Sequence, residues 1–237
     1  MQDTIRKLRS IANDATLSPA QKKHYLSLEA ENLLPYPALD AETQEALDQR
    51  VICDMYEGHA PYKPRYVLPD YSIVLAQGSA YLELPVPETL DEAINTLMIA
   101  YHHVPSVTGI PVYIGPLDQL LLPFCDGVSD EELYAKITLF WRYLDRTLPD
   151  AFMHANIGPT DNRVARAILR VDAELKQIAP NLTLLYDPDA GGDELLAMAS
   201  DNIVECCKPH IANHPVHAAA FDERGYGIVS CYNVLPI

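Results

Sequence analysis

Residues 181–213 read NLTLLYDPDAGGDELLAMASDNIVECCKPHIAN, and this stretch decides the fold class. The β-branched and aromatic content of Leu182 to Tyr186 predicts a strand, and Gly191-Gly192 breaks the chain after it. A helix is predicted from Asp193 to about Cys206, followed by a short strand from His210 to Asn213. Because a helix separates the two strands, we expect them to pair in parallel within a helix-covered sheet.

The same alternation surrounds this stretch. Phe152 to Ile157 is predicted to be a strand, Asp161 to Ile178 a helix, and Tyr226 to Ser230 a last strand. The sequence therefore predicts an α/β fold in which N-terminal helices precede a mostly parallel, helix-covered sheet.

The N-terminal region is predicted to be helical. Ser18-Pro19 is typical of a helix start, and this helix should run toward Asn32. A second helix is predicted from Asp40 to about Glu57. We expect residues 1–60 to form a helical region and residues 61–237 to form the α/β part.

Two further helix starts carry the spacing of a capping box, in which a hydroxyl and a carboxylate satisfy each other's free backbone N–H groups. They are Thr89 with Glu92 and Ser129 with Glu132. Each precedes an amphipathic run whose apolar side is predicted to face the core.

Composition limits the classes of partner. The chain has 237 residues, 49% of them hydrophobic, and a formal charge of -16, which disfavours binding to nucleic acid or anionic lipid. Prolines and Asp118 interrupt the most apolar region, residues 104–124, so no membrane span is predicted. The five cysteines lack C-x-x-C spacing, which favours a reducing compartment. With no signal-peptide pattern at the N-terminus, we expect a cytoplasmic protein.

Three histidines, His210, His214 and His217, have a spacing that would align metal ligands on one face of a helix. Pro209 and Pro215 disfavour a continuous helix there. The alternative is that the three are polar side chains in a strand and a loop.

Cys231 is the main candidate for chemistry. It follows the apolar segment Gly225 to Val229, and the nearby sequence offers no histidine or helix start that would favour a thiolate. A neutral thiol in an apolar pocket is suited to hydrogen-atom transfer. A buried structural cysteine is the alternative, because free cysteine is among the most buried residue types.

Longer stretches of the sequence resemble glycyl radical enzymes. The segments LLYDPD (184–189), KPHIAN (208–213) and GYGIVSC (225–231) match, in order, the strand and turn, the K-P-x-x-x-N strand and the cysteine loop of that family. Residues 34–71 and 101–121 more closely resemble the YjjI-type group of these enzymes.

The resemblance implies a ten-stranded α/β barrel built from two half-barrels, with the cysteine loop at its centre. In that family a C-terminal glycine stores a radical that an S-adenosylmethionine-dependent iron–sulfur activating enzyme installs under anaerobic conditions. The cysteine then becomes a thiyl radical and abstracts a hydrogen atom from a small-molecule substrate. Cys231 is the matching residue, and its neighbours Tyr232 and Asn233 are expected to line the substrate pocket.

The sequence departs from two branches of the family. Dehydratase and lyase members typically carry a glutamate base two residues after the cysteine, where this chain has Asn233, which cannot take up a proton. Acetyl-transferring members use two adjacent cysteines, whereas Ser230 and Tyr232 flank Cys231.

No stretch of the chain matches the family's glycyl radical pattern, approximately R-V-x-G-[FWY]; Arg163-Val164, for example, is followed by Ala165-Arg166. We therefore expect the N-terminal half of a longer enzyme, without a bound cofactor of its own and inactive alone or completed by a separate C-terminal polypeptide. Two alternatives are a metal-dependent hydrolase at His210, His214 and His217, and a non-catalytic interaction module.

Overall fold

The computed structural model describes residues 2–31, 39–52, 68–108, 112–147, 153–221, 225–229 and 233–237. The chain divides into two compact units. One comprises Met1–Arg65 with Ser106–Gly109, and the other comprises Tyr66–Pro105 with Ile110–Ile237.

The described part of the first unit is helical. It contains α1 (Gln2–Asn13), α2 (Pro19–Glu31) and α3 (Ala41–Asp48). The predicted helix start at Ser18 is confirmed, because the Ser18 N–H donates to the Gln21 side chain (2.9 Å). The helix predicted from Asp40 to about Glu57 is shorter than expected: it ends at Asp48, and the positive φ of Arg50 (57°) takes the backbone out of the helical conformation.

The second unit combines helices and strands. Its helices are α4 (Tyr71–Gln77), most of α5 (Leu90–Thr108), α6 (Leu117–Leu121), α7 (Asp130–Thr147), α8 (Arg163–Leu175), α9 (Asp193–Cys206) and α10 (His214–Phe221). Its strands are β1 (Tyr113–Pro116), β2 (His154–Ile157), β3 (Asn181–Tyr186), β4 (His210–Asn213), β5 (Tyr226–Val229) and β6 (Asn233–Pro236). Among the described residues, no helix is both long and apolar enough to cross a bilayer.

Four of these strands form a parallel sheet in the order β1-β2-β3-β4. The register sets Asn156 of β2 opposite Thr183 of β3, and Thr183 opposite His210 of β4. Strands β5 and β6 pair antiparallel as a separate two-stranded sheet, the hairpin sheet. The α/β class, with a parallel sheet flanked by helices, is therefore confirmed.

Side-chain alternation gives the parallel sheet two different faces. On the helix face, Ala155, Ile157, Leu182 and Leu184 join one large core with residues of α5 to α9. The opposite face, which we call the second face, contributes Leu185 and Ala212 to a smaller cluster with Tyr226 and Ile228 of β5. The hairpin sheet thus packs on the side of the sheet away from the helices.

Local sequence signals explain where two of the core helices begin. The predicted capping box at α5 is confirmed, because Thr89 and Glu92 exchange hydrogen bonds of 3.2 and 3.3 Å. At α7, Ser129 accepts from the Glu132 N–H (3.1 Å), and the Glu132 carboxylate pairs with Lys136. The apolar stripes after both starts are buried as predicted.

A buried ion pair fixes the N-terminal ends of β3 and β4. Lys208, just before β4, donates to the Asp172 carboxylate (2.8 Å) and to the carbonyl of Pro180, just before β3 (3.1 Å). Trp141 of α7 donates to the same carboxylate oxygen of Asp172 (2.9 Å). One network therefore joins α7, α8 and two strands away from solvent.

Replacing Lys208 with Met should lower the free energy of unfolding by about 3–5 kcal/mol, because the Asp172 carboxylate would stay buried without its cation. As a control, Glu205→Gln removes the exposed pair with Lys176 (2.8 Å) and should leave the free energy of unfolding close to the wild-type value, because solvent screens an exposed pair. Urea denaturation followed by circular dichroism measures both variants. Equal losses would contradict the role assigned to the buried pair.

Candidate functional site

The cysteine segment lies between the two strands of the hairpin sheet. Strand β5 ends at Val229 and β6 begins at Asn233, and these two residues are partners in the antiparallel register. Cys231 and Tyr232 lie outside the described residues, and of Asn233 only the backbone is described. A strand was predicted from Tyr226 to Ser230 and is confirmed over Tyr226–Val229, whereas β6 was not predicted.

Asn156 connects the parallel sheet to the hairpin sheet. Its side-chain oxygen accepts from the Ile228 N–H (2.9 Å), and its side-chain nitrogen donates to the Ile228 carbonyl (3.1 Å). The Tyr113 hydroxyl donates to the same oxygen of Asn156 (3.0 Å). All three residues are buried, so this amide holds the backbone three residues before Cys231.

A glycine lets β5 approach the sheet closely. A Cβ on Gly227 would lie 2.9 Å from two ring atoms of Tyr113 and 3.0 Å from the Leu68 side chain. These distances are too short for a real side chain, so only glycine fits without movement of the Tyr113 ring. Gly227 thus permits close approach of the β5 backbone to Tyr113.

The second face also carries a buried histidine. His154 follows the alternation that also brings Asn156 to this face, and it is buried. Burial, and secondarily the nearby His210, lowers the pKa of His154 to about 4. His154 is therefore neutral at pH 7, and a thiol near this face would gain no nearby cation from it.

Tyr226 organises the other end of β5. Its hydroxyl and Nδ1 of His214 are hydrogen-bonded at 2.7 Å. Its ring stacks on the His214 and Phe221 rings and contacts His217 at a tilt. Helix α10 is thereby attached to the hairpin sheet through aromatic contacts.

The three histidines of the metal hypothesis belong to two elements. His210 lies in β4, whereas His214 and His217 lie in α10 and face Tyr226. In the described ranges, no group of three metal-ligating side chains is close enough to hold an ion. The prediction of a loop after the His210 strand is wrong, because residues 214–221 form α10. Pro215 falls in the first turn of this helix, where proline is tolerated.

A buried carboxylate, which the sequence analysis treated only as an interruption of an apolar run, lies at the C-terminal end of β1. Asp118 accepts through Oδ2 from the Gly158 N–H (3.1 Å) and from the side chain of Asn162 (2.7 Å). Among the described residues, its Oδ1 has no hydrogen-bond partner. Burial raises the pKa of Asp118 to about 6, although both hydrogen bonds oppose the shift.

Asn162 and Gly158 explain why the carboxylate is held there. Asn162 caps α8 through its side-chain oxygen, which accepts from the N–H groups of Val164 and Ala165, and turns its nitrogen to Asp118. Gly158 has a φ of 85°, and a Cβ on it would meet the Leu185 carbonyl at 2.5 Å. Two strand ends and a helix start therefore enclose one titratable group.

Asp118→Asn should change how stability depends on pH. Because the pKa of Asp118 is raised on folding from 3.8 to about 6, the contribution of this residue to the wild-type free energy of unfolding falls as the pH rises from about 4 to 6. The variant lacks this loss, so its stability relative to wild type should increase across that window by on the order of 3 kcal/mol and level off above it. Urea denaturation at several pH values measures the difference. A difference that is constant with pH would contradict the burial of the charge.

Two of the described cysteines are unsuited to thiolate chemistry. Burial raises the pKa of Cys125 and of Cys206, and the Asp172 carboxylate adds to the effect on Cys206. Cys207 follows α9 in a left-handed conformation (φ 60°) and is exposed. Cys53 lies outside the described residues.

A family model and a curated relative of this chain indicate the same family. The model of the family described as glycyl radical enzyme YjjI-like matches residues 17–237. An uncharacterized protein of Escherichia coli (strain K12), YjjI, is 61% identical over 232 residues, which are 98% of this chain and 45% of that protein. An uncharacterized protein of Haemophilus influenzae is 46% identical over 191 residues, covering 80% of this chain and 36% of that protein. The chain thus spans less than half the length of both relatives.

Proposed function

The chain belongs to the YjjI-like family of glycyl radical enzymes, and we propose that it supplies the radical-forming cysteine, Cys231, to an enzyme of the relatives' full length. The observation that carries the proposal is the position of β5, which Asn156 and Tyr113 hold on the second face of the parallel sheet. The segment with Cys231 follows this strand directly.

The proposed step is the homolytic transfer of one hydrogen atom. The thiyl radical of Cys231 takes a hydrogen atom from a C–H bond of a small-molecule substrate, which leaves a thiol and a substrate carbon radical. This chemistry requires a neutral thiol and a dry site. Three described residues of the two sheets fit that requirement: Tyr113 stays protonated in its buried site, His154 of the second face is neutral, and Ile228 of β5 is apolar.

The source of the radical is proposed to lie in the portion that the relatives have beyond this chain. We propose a glycine there as the storage residue, an S-adenosylmethionine-dependent iron–sulfur enzyme as its activator, and a barrel completed by that portion or by a separate C-terminal polypeptide. This chain would hold no cofactor of its own. Tyr232 and Asn233 remain the proposed pocket residues, and Asn233 in place of an acid does not suit diol-dehydratase chemistry.

The test uses the full-length polypeptide, activated anaerobically and examined by electron paramagnetic resonance. A glycyl radical keeps one α-hydrogen and gives a doublet. If glycine and the Cys231 thiol exchange hydrogen atoms, D2O replaces that hydrogen with deuterium and the doublet collapses to a single line. We expect collapse in the wild type and a persistent doublet in Cys231→Ala.

Cys207→Ala is the matched control, because Cys207 is exposed at the end of α9. Its signal should collapse as in the wild type. Collapse at the wild-type rate in Cys231→Ala would exclude Cys231 as the exchanging thiol. Failure of the activated protein to give a glycyl signal would instead favour the non-catalytic interaction module.

A further inference from the structure

We infer that Asn156 is a positioning residue for the radical cysteine, acting through the backbone of Ile228; this inference deepens the proposed function and rests on it. Asn156 lies in β2, a strand paired on both sides, by β1 and by β3. Ile228 is 72 residues away in sequence and three residues before Cys231. The contact therefore transmits the position of the parallel sheet to the strand that leads to the cysteine.

The Asn156 amide binds the backbone of β5 on the edge that faces away from β6. In an antiparallel ladder only alternate residues direct their backbone groups at the partner strand. Gly225 accepts from the Ile237 N–H in the hairpin sheet, so the alternation turns the backbone groups of Ile228, three residues on, away from β6. Both groups are buried and are satisfied by the Asn156 amide (2.9 and 3.1 Å). Without it, a buried N–H and a buried carbonyl would lose these partners.

Only a side-chain amide of this length provides the donor and the acceptor at the required spacing. The orientation of the amide is also determined. Its oxygen accepts from the Ile228 N–H and its nitrogen donates to the Ile228 carbonyl, so a flipped amide would set donor against donor and acceptor against acceptor. Tyr113 in turn touches the position of Gly227, which ties the ring to the same strand.

The chemistry explains why such fixation matters. Hydrogen-atom transfer proceeds only when donor and acceptor atoms are in near-contact, and a shift of about 1 Å can cost on the order of a hundredfold in rate. A strand held by two hydrogen bonds to a sheet interior limits such shifts at the start of the cysteine segment. Asn156 touches neither the substrate nor the sulfur in this scheme.

The first experiment tests the mechanical role without any radical. In the full-length protein, Asn156→Asp keeps the shape and the acceptor but removes the donor to the Ile228 carbonyl. Hydrogen–deuterium exchange in the peptide containing residues 226–229 should become at least about tenfold faster under native conditions. Alkylation of Cys231 by iodoacetamide should accelerate to a similar extent.

Asn202→Asp is the matched control. Asn202 is a buried asparagine of α9 whose side chain also donates to a backbone carbonyl, that of Leu169 (2.6 Å), but on the helix face of the sheet. It should leave exchange in residues 226–229 and alkylation of Cys231 as in the wild type. Should Asn156→Asp fail to fold, Tyr113→Phe, which removes only the hydroxyl that orients the amide, is expected to give a smaller change in the same direction.

The second experiment connects the position to the chemistry. In activated full-length protein, Asn156→Asp should accumulate the glycyl radical to the wild-type level, yet the doublet in D2O should collapse at least about tenfold more slowly. A merely structural defect would lower the amount of radical but leave the collapse rate per radical unchanged.

The outcomes separate this inference from the proposed function. Wild-type exchange and alkylation in Asn156→Asp would overturn the inference while leaving Cys231 as the radical residue. A wild-type collapse rate in Asn156→Asp would also overturn it. Accelerated exchange and alkylation, together with an absent glycyl signal in the wild type, would support the mechanical role and reject the radical function.

Discussion

Two hydrogen bonds between the Asn156 side chain and the Ile228 backbone join the parallel sheet to the hairpin sheet. The constraint behind them is general: a buried peptide group needs a partner, because no water is available to take the place of one. Strand β5 lies on the second face of the parallel sheet and takes that partner from within it. The chemistry proposed for Cys231 depends on this arrangement, because β5, the strand that precedes the cysteine, is held in place by the parallel sheet.

The buried titratable groups near the site respond to acid in opposite directions. The lowered pKa of His154 contributes stability that is lost as the pH falls from its ordinary value of 6.5 to about 4. The raised pKa of Asp118 has the reverse effect over an overlapping range. The two contributions offset each other, so the stability of the wild type changes less between pH 4 and 6.5 than either group alone would require.

The sequence predicts elements where local signals agree and misses those that depend on distant contacts. Strand β4 and helix α9 have the bounds that their apolar patterns and Gly191-Gly192 indicate. Strand β1 was missed because Pro111, Gly115 and Pro116 are typical of a broken segment, yet pairing with β2 makes it a strand. Strand β6 was missed for a similar reason: it ends at a proline, Pro236, and depends on pairing with β5.

The site was predictable only in part. Cys231 could be singled out from its apolar context and from the family resemblance, and the comparisons confirm the family but not the role of the residue. Asn156 and Asp118 carry no local motif. A polar residue within the predicted strand from Phe152 to Ile157 was the only signal for the first, and Asp118 within an apolar run was the signal for the second. The structural roles of Asn156 and Asp118 depend on hydrogen-bond partners more than 30 positions away in the sequence.

The Asn156 side chain binds the backbone N–H and carbonyl of Ile228, and these two hydrogen bonds involve no side chain of the residues that follow. Since every residue type other than proline presents the same N–H and carbonyl, the anchor places few demands on the identity of Ser230, Tyr232 or Asn233. The contact itself therefore does not restrict substitution at those positions. Such a separation would let the residues after β5 change during evolution without altering how β5 is held.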